Sequence, residues 1–158
     1  MKKIMVLTAM LLAVSSLPAR ALIELGPKAS LYIGDGIQFG IGGEAVVNPL
    51  KSIGFRLDIV EVIFDPTTFY FNREGSLDGF FYLPTTLPLY IYAGVGLKTH
   101  ETGQGTQTNY SVRGGLGYNH QLNPKTNLFI EPGIFISGNG DTKLSGRISA
   151  GVRFGVIE

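Results

Sequence analysis

Histidine is the first residue type to test for chemistry, because the chain contains only His100 and His120 and no cysteine. His100 lies beside Thr99 and Glu101, so a histidine-assisted hydrolase at this point of the chain is one interpretation. A lone histidine in a loop is far more often a solvated turn residue. The two histidines are also expected at opposite ends of the predicted strands, so they do not form one site.

The usual catalytic and ligand-binding motifs are missing from the sequence. There is no G-x-S-x-G and no H-E-x-x-H, the patterns of a serine nucleophile and of a zinc site. The stretches GDG at 34–36 and GNGD at 138–141 resemble fragments of calcium loops, but they lack an array of acidic ligands and are typical of hairpin turns. We therefore predict no catalytic residue, no metal and no cofactor.

The first 21 residues have the pattern of a secretory signal peptide. Two lysines follow the initiator Met, an apolar run extends from Ile4 to Val14, and residues 19–21 form a small-residue cleavage motif. The apolar run is too short for a transmembrane helix. We predict a cleaved signal peptide over 1–21 and one domain over 22–158, which must fold without disulfides.

Periodicity favours an all-β domain. After residue 21 no helical periodicity is sustained over three turns, and apolar residues alternate with polar residues or glycine. Six alternating segments lie at 37–47, 52–64, 89–98, 110–118, 127–136 and 143–156. Two less regular segments, near 27–36 and between 67 and 83, bring the predicted count to eight strands. Lys and Arg number 13 against 12 Asp and Glu, all scattered, so a nucleic-acid partner has no electrostatic support.

The connections between these segments come in two alternating styles. Short connections with proline lie at 48–51, 84–88 and 123–126, and stretches rich in Gly, Asp, Thr and Gln lie at 34–36, 65–78, 100–108 and 137–141. In an up-and-down meander every second connection lies at the same end of the sheet. We therefore expect proline turns at one rim and polar loops at the other, with 65–78 as the longest loop.

The face opposite the apolar residues decides which side of the sheet is inside. A soluble barrel would expose this charged and glycine-rich face to water, where the glycines would weaken the strands without helping packing. A closed eight-stranded barrel has a narrow interior, in which glycines make room for long charged side chains that pair with each other. The predicted lumen network consists of Glu44, Arg56, Asp58, Lys98, Arg113, Glu131, Arg147 and Arg153. The apolar face would then contact lipid.

Two residues do not fit this alternation. Glu61 has the outward parity of its strand, so we expect it at the rim of the barrel. Pro132 also has the outward parity, in mid-strand and without an N–H for the ladder, so we expect a β-bulge there.

The pattern resembles the small eight-stranded outer-membrane barrels of Gram-negative bacteria over nearly the whole of 22–158. The sharpest feature is the C-terminal assembly signal of that family, whose positions are matched in order by Ser149, Gly151, Phe154 and Val156. Members commonly end on Phe, whereas this chain continues through Ile157 to Glu158. The resemblance implies an up-and-down antiparallel transmembrane β-barrel in the outer membrane, with membrane lipid and the assembly machinery as partners.

We therefore predict a non-enzymatic outer-membrane barrel with a charged, side-chain-filled lumen and a role in envelope structure or surface interaction. One alternative is a soluble exported barrel of lipocalin type, apolar inside, that binds a small apolar ligand. The other is a barrel enzyme that modifies lipid at the rim with His100.

Overall fold

The computed structural model describes residues 21–34, 36–66, 70–102, 105–139 and 141–157 and consists of eight antiparallel strands. They are β1 (Ile23–Ile33), β2 (Ile37–Leu50), β3 (Ile53–Asp65), β4 (Tyr70–Tyr82), β5 (Leu89–Thr102), β6 (Gly105–Asn123), β7 (Thr126–Asn139) and β8 (Asp141–Ile157). No helix within the described ranges is long and apolar enough to cross a membrane. Residues 1–20 of the predicted signal peptide lie outside these ranges, so its cleavage stays a prediction.

The strands close into a ring in chain order. Each strand pairs antiparallel with the next, and β8 returns to pair with β1. The predicted eight-stranded up-and-down barrel is therefore confirmed. Closure gives every strand a hydrogen-bonded neighbour on both sides, which is what a sheet needs where no water can satisfy its backbone.

Side chains alternate between the two faces of this ring, with one interruption in β3. Ile41 is 71% exposed and Val95 is 60% exposed on the outer face, whereas Arg56 and Arg153 are fully buried inside. Val46 and Ile63 are rare apolar residues on the inner face, and both are fully buried. The barrel is thus apolar outside and charged inside, the reverse of a soluble barrel.

The connections confirm the alternation of styles but not the long polar loops. β4 is the strand predicted between 67 and 83, but the predicted loop at 65–78 is wrong, because β4 begins at Tyr70 and pairs with both neighbours. The alternation of β4 is not evident in the sequence, because its inward residues are polar and its outward residues include Arg73. The predicted loop at 100–108 is wrong as well, because β5 and β6 stay paired up to Thr102 and Gly105. Gly105 has a φ of 135°, which a glycine adopts without strain.

A β-bulge in β3 overturns the expected position of Glu61. Ile59 and Val60 both lie on the outer face, and Gly75 alone stands opposite them between the paired positions of β4. The ladder with β2 shifts at the same place. The extra residue resets the alternation, so Glu61 points inward and is 1% exposed instead of lying at the rim.

The bulge that we expected at Pro132 is absent. Pro132 stands opposite Ile148 in an uninterrupted β7–β8 register. On the β6 side the pairs Gly115–Gly133 and Tyr118–Ile130 belong to one register, so no residue is inserted between them. The imino nitrogen of Pro132 is accommodated by a local gap in the β6–β7 pairing rather than by an extra residue.

Deletion of Val60 tests the bulge. Removing one of the two outward residues makes the registers of β3 with β2 and β4 continuous and keeps every other side chain on its face. We expect the variant to refold in detergent with a free energy of unfolding within about 1 kcal/mol of wild type.

Deletion of Val95 is the matched control, because β5 has no register shift with either neighbour. There the deletion transfers side chains to the wrong face, and we expect a loss of several kcal/mol or no folding. Urea unfolding followed by gel mobility measures both variants. Equal losses for the two deletions would contradict the bulge assignment.

Candidate functional site

The charged lumen is the candidate functional site, because polar side chains from all eight strands face it. Twelve charged residues of the described chain are buried there, each at most 3% exposed. They are the bases Lys28, Arg56, Arg113, Arg147 and Arg153 and the acids Glu24, Glu44, Asp58, Glu61, Glu74, Asp78 and Glu131. Buried charges at this density are stable only when they are paired and hydrogen-bonded.

Arg56 connects three strands to β3 from the middle of the lumen. Its Nη1 lies 2.6 Å from Oε2 of Glu131 on β7 and 3.2 Å from Oε2 of Glu44 on β2, and its Nη2 lies 2.5 Å from Oδ2 of Asp78 on β4. The guanidinium also faces the ring of Phe80, with 4.9 Å from Cζ to the ring centroid. The ion pairs of Arg56 thus connect four strands of the barrel.

Arg153 binds two of these acids from β8. Its Nε donates to Oε1 of Glu44 at 2.5 Å and its Nη2 donates to Oε1 of Glu131 at 2.8 Å. The Tyr90 hydroxyl donates to the same Glu131 oxygen at 2.6 Å. Glu131 is therefore shared by two arginines and a tyrosine, and it closes the network between β7 and β8 on one side and β2, β3 and β5 on the other.

A second group of ion pairs is centred on Asp58. Its Oδ2 accepts from Lys28 Nζ at 2.6 Å and from Arg113 Nη1 at 3.1 Å. Lys28 also lies 3.0 Å from Oε2 of Glu61, and Arg113 also binds Glu74. This group joins β1, β3, β4 and β6, so the two groups together involve every strand of the ring.

Two residues of the predicted network stand apart from these groups. Arg147 is 1% exposed, and the nearest approach of its Nη2 to Glu131 Oε2 is 3.7 Å. Lys98 is half-buried, donates to Gln38 Oε1 at 3.3 Å, and lies 5.5 Å from the ring centroids of Tyr32 and Phe135. The other six predicted residues all lie in one of the two groups.

Five buried charges were missing from the sequence prediction, namely Glu24, Lys28, Glu61, Glu74 and Asp78. Glu24 and Lys28 lie in the irregular first strand, and Glu61 follows the bulge. Glu74 and Asp78 lie in the segment that we expected to be a loop. The signal that could have found these two is the spacing of polar residues at 72, 74, 76 and 78, all of which point inward.

Aromatic side chains fill the lumen beside the charges. The Phe80 ring lies 5.0 Å from the Tyr90 ring, and the Tyr82 ring lies 5.5 Å from the Tyr90 ring, between centroids. Phe80 and Tyr82 therefore lie inside the lumen, whereas Phe81 is exposed on the outer face. A Cβ at Gly117 would overlap the Tyr90 ring, so this position needs a glycine.

The residues of the predicted assembly signal lie on both faces of β8. Ser149 is buried, and its hydroxyl oxygen lies 2.7 Å from that of Ser30. Gly151 faces the Phe129 ring, where a Cβ would be too close. Phe154 and Val156 are exposed on the outer face. Recognition of these residues by the assembly machinery stays a prediction.

The two histidines lie at opposite ends of the barrel. The His100 backbone stands opposite Gln107 near the end of β5, whereas His120 stands opposite Leu128 near the other end of β6. The His120 ring stacks on Tyr118 with 6.4 Å between centroids. The side chain of His100 lies outside the part that the structure describes. A shared site for the two histidines is not compatible with this arrangement.

Solved structures with the same architecture are known. The N-terminal β-barrel domain of Pseudomonas aeruginosa OprF matches with a TM-score of 0.54 at 16% identity, covering 83% of this chain and 97% of that domain. Neisserial surface protein A matches with a TM-score of 0.54 at 18% identity, covering 84% and 95%. A designed transmembrane β-barrel matches with a TM-score of 0.50 at 13% identity, covering 86% and 97%.

The fold is that of the small outer-membrane barrels. No protein-family model and no curated protein sequence matches the chain. The likeness therefore lies in the closed eight-stranded architecture, and the residues of the lumen have to be interpreted from their own contacts.

Substitution of Arg113 by leucine tests the lumen network. The change leaves Asp58 with one fewer cation and Glu74 without the Arg113 guanidinium. We expect the free energy of unfolding to fall by about 3–5 kcal/mol, because the carboxylates stay buried after their partner is removed. Urea unfolding of the refolded barrel measures this change.

Arg73→Leu is the matched control, because Arg73 is exposed on the outer side of β4. This substitution should change the free energy of unfolding by no more than about 1 kcal/mol. A larger loss for Arg73→Leu than for Arg113→Leu would contradict the assignment of the two faces.

Proposed function

We propose that the chain is an exported, non-enzymatic outer-membrane barrel that contributes to envelope structure or to interactions at the cell surface. The observation that carries this proposal is the distribution of side chains, apolar on the outer face and charged in the lumen. Such a surface is stable against lipid, and a ring without free edges is one of the two architectures that can cross a bilayer. The likeness to solved outer-membrane barrels supports the same location.

Arrangement of the lumen supports a structural rather than a transport role. The ion pairs of Arg56 and Arg153 join acids on facing sides of the barrel, and aromatic rings pack against both guanidinium groups. Side chains therefore occupy the central part of the described barrel. General porins use 16 to 18 strands to leave an aqueous channel, about twice the number present here.

Polar residues are exposed at the start of β6, where this strand pairs with the end of β5. Exposed Thr106, Gln107 and Thr108 belong to the part of β6 that extends beyond its pairing with β7, which begins at Tyr110. These residues present hydroxyl and amide groups with no apolar patch. We propose this hairpin end as the region through which surface interactions occur, and the proline turns as the periplasmic side.

The soluble alternative is disfavoured by the same observation. A lipocalin-like barrel would hold an apolar ligand among apolar side chains, whereas the lumen here is lined by arginines and carboxylates. The lipid-modifying alternative needs a nucleophile beside His100, whereas the hydroxyl of the neighbouring Thr99 donates to the Arg73 carbonyl oxygen at 3.2 Å. We therefore keep the structural and surface role as the proposal.

Cell fractionation tests the location. We expect the protein in the outer-membrane fraction, released only by detergent, with faster gel mobility before heating than after, because the closed barrel resists detergent at room temperature. A periplasmic binding protein and a known porin serve as markers for the two fractions. Recovery of the folded protein from the aqueous periplasm without detergent would contradict the proposal.

A further inference from the structure

Glu24 differs from the other buried carboxylates of the lumen. The other six each ion-pair with a lysine or an arginine, and they are Glu44, Asp58, Glu61, Glu74, Asp78 and Glu131. Glu24 is fully buried, yet its donors are two neutral amides: Asn127 Nδ2 at 2.7 Å from Oε1 and Asn48 Nδ2 at 3.2 Å from Oε2. Within the described ranges Glu24 has no ion pair. A buried carboxylate whose donors are all neutral keeps an uncompensated charge, which a nearby cation would stabilise.

Asn48 connects this carboxylate to the peptide bond between Ala21 and Leu22. Its Nδ2 also donates to the Ala21 carbonyl oxygen at 2.9 Å, and its backbone N–H donates to the Leu22 carbonyl oxygen at 2.8 Å. The Tyr82 hydroxyl donates to Asn48 Oδ1 at 2.8 Å, which fixes the orientation of the amide. The 21–22 peptide bond is thus held beside Glu24, where β1 enters the barrel.

This peptide bond is the one that the small-residue motif at 19–21 marks for cleavage. Hydrolysis by the export peptidase consumes one water: the C–N bond breaks, the carboxylate leaves with Ala21, and an ammonium group remains on Leu22. The nitrogen of a peptide bond lies about 2 Å from its carbonyl oxygen. Cleavage therefore removes the carbonyl oxygen that accepts from Asn48 Nδ2 and leaves a positive charge about 2 Å from the place of that oxygen, at the end of the barrel where Glu24 is buried.

We propose that Glu24 is the binding site for the α-ammonium group of Leu22 that removal of the leader creates. The proposal rests on the export of the chain proposed above and goes beyond it, because it gives cleavage a structural consequence. The ammonium group supplies the cation that Glu24 lacks and ties the start of β1 to β2 and β7 through Asn48 and Asn127. The uncleaved chain has a neutral peptide group at the same position.

The test compares free and acetylated N-termini. The chain is prepared from a fusion whose protease leaves Leu22 as first residue, refolded in detergent, and studied with its α-amine free or acetylated at pH 6. Acetylation restores a carbonyl where Ala21 had one and removes the charge. We expect it to raise the unfolding equilibrium constant of the wild-type chain about tenfold, since bonds to charged groups stabilise more than neutral ones.

Glu24→Gln should reduce the effect of acetylation to less than about twofold, because the neutral side chain at position 24 forms no ion pair with the free ammonium group. Glu61→Gln is the matched control, since this carboxylate pairs with Lys28, and there the tenfold effect should persist. An effect of equal size in the wild-type chain and the Glu24→Gln variant would overturn the proposal. Should the Glu24→Gln variant not refold, equal stability of the free and acetylated wild-type chains overturns it.

N-terminal sequencing of the exported protein is the second measurement. We expect Leu22 as the first residue, and a first residue elsewhere would overturn the assignment of Glu24. This outcome is separate from that of the fractionation experiment, because a barrel cleaved at another bond can still lie in the outer membrane.

Discussion

Pairing of charges across a closed lumen is the interaction on which the rest of this structure depends. Arg56 and Arg153 both bind Glu44 and Glu131, so four strands of the barrel share one group of charges. Most apolar residues face outward, and the buried apolar residues of the described chain form two small clusters inside the lumen, around Phe80 and around Phe135. Ion pairs, hydrogen bonds and aromatic rings in the lumen hold the strands together, so the apolar residues of the outer face are not needed for an internal core.

The backbone is adapted to keep these charges together. Glycine at position 117 leaves room for the Tyr90 ring, whose hydroxyl binds Glu131. The bulge at Ile59 and Val60 turns Glu61 into the lumen, where it meets Lys28. In a regular strand the residue three positions after Asp58 would face outward, so the extra residue is what turns Glu61 inward. Both features of the backbone thus allow contacts between side chains in the lumen.

Much of this arrangement could be predicted from the sequence, because alternation with a period of two reports directly on the two faces of a strand. The clean alternation around Arg113 and Arg153 predicts their positions, and the two styles of turn predict the up-and-down order of the strands. Glu61 breaks the alternation, but the sequence of one strand does not show whether a bulge or a position at the rim is the reason. Glu74 and Asp78 could not be assigned to the lumen from the sequence, because both faces of β4 carry polar residues. The partners within the network depend on register, which no single strand specifies.

Contact between the outer face and lipid is the central claim, and nuclear Overhauser effects from lipid acyl chains to side-chain methyl groups test it most directly. The refolded protein in a lipid nanodisc offers outward methyl groups on Ile41, Val95 and Ile148 and inward ones on Val46 and Ile63. The structure predicts strong effects at the three outward residues and none at the two inward ones. Effects at Val46 and Ile63, or their absence at all five residues, would contradict it.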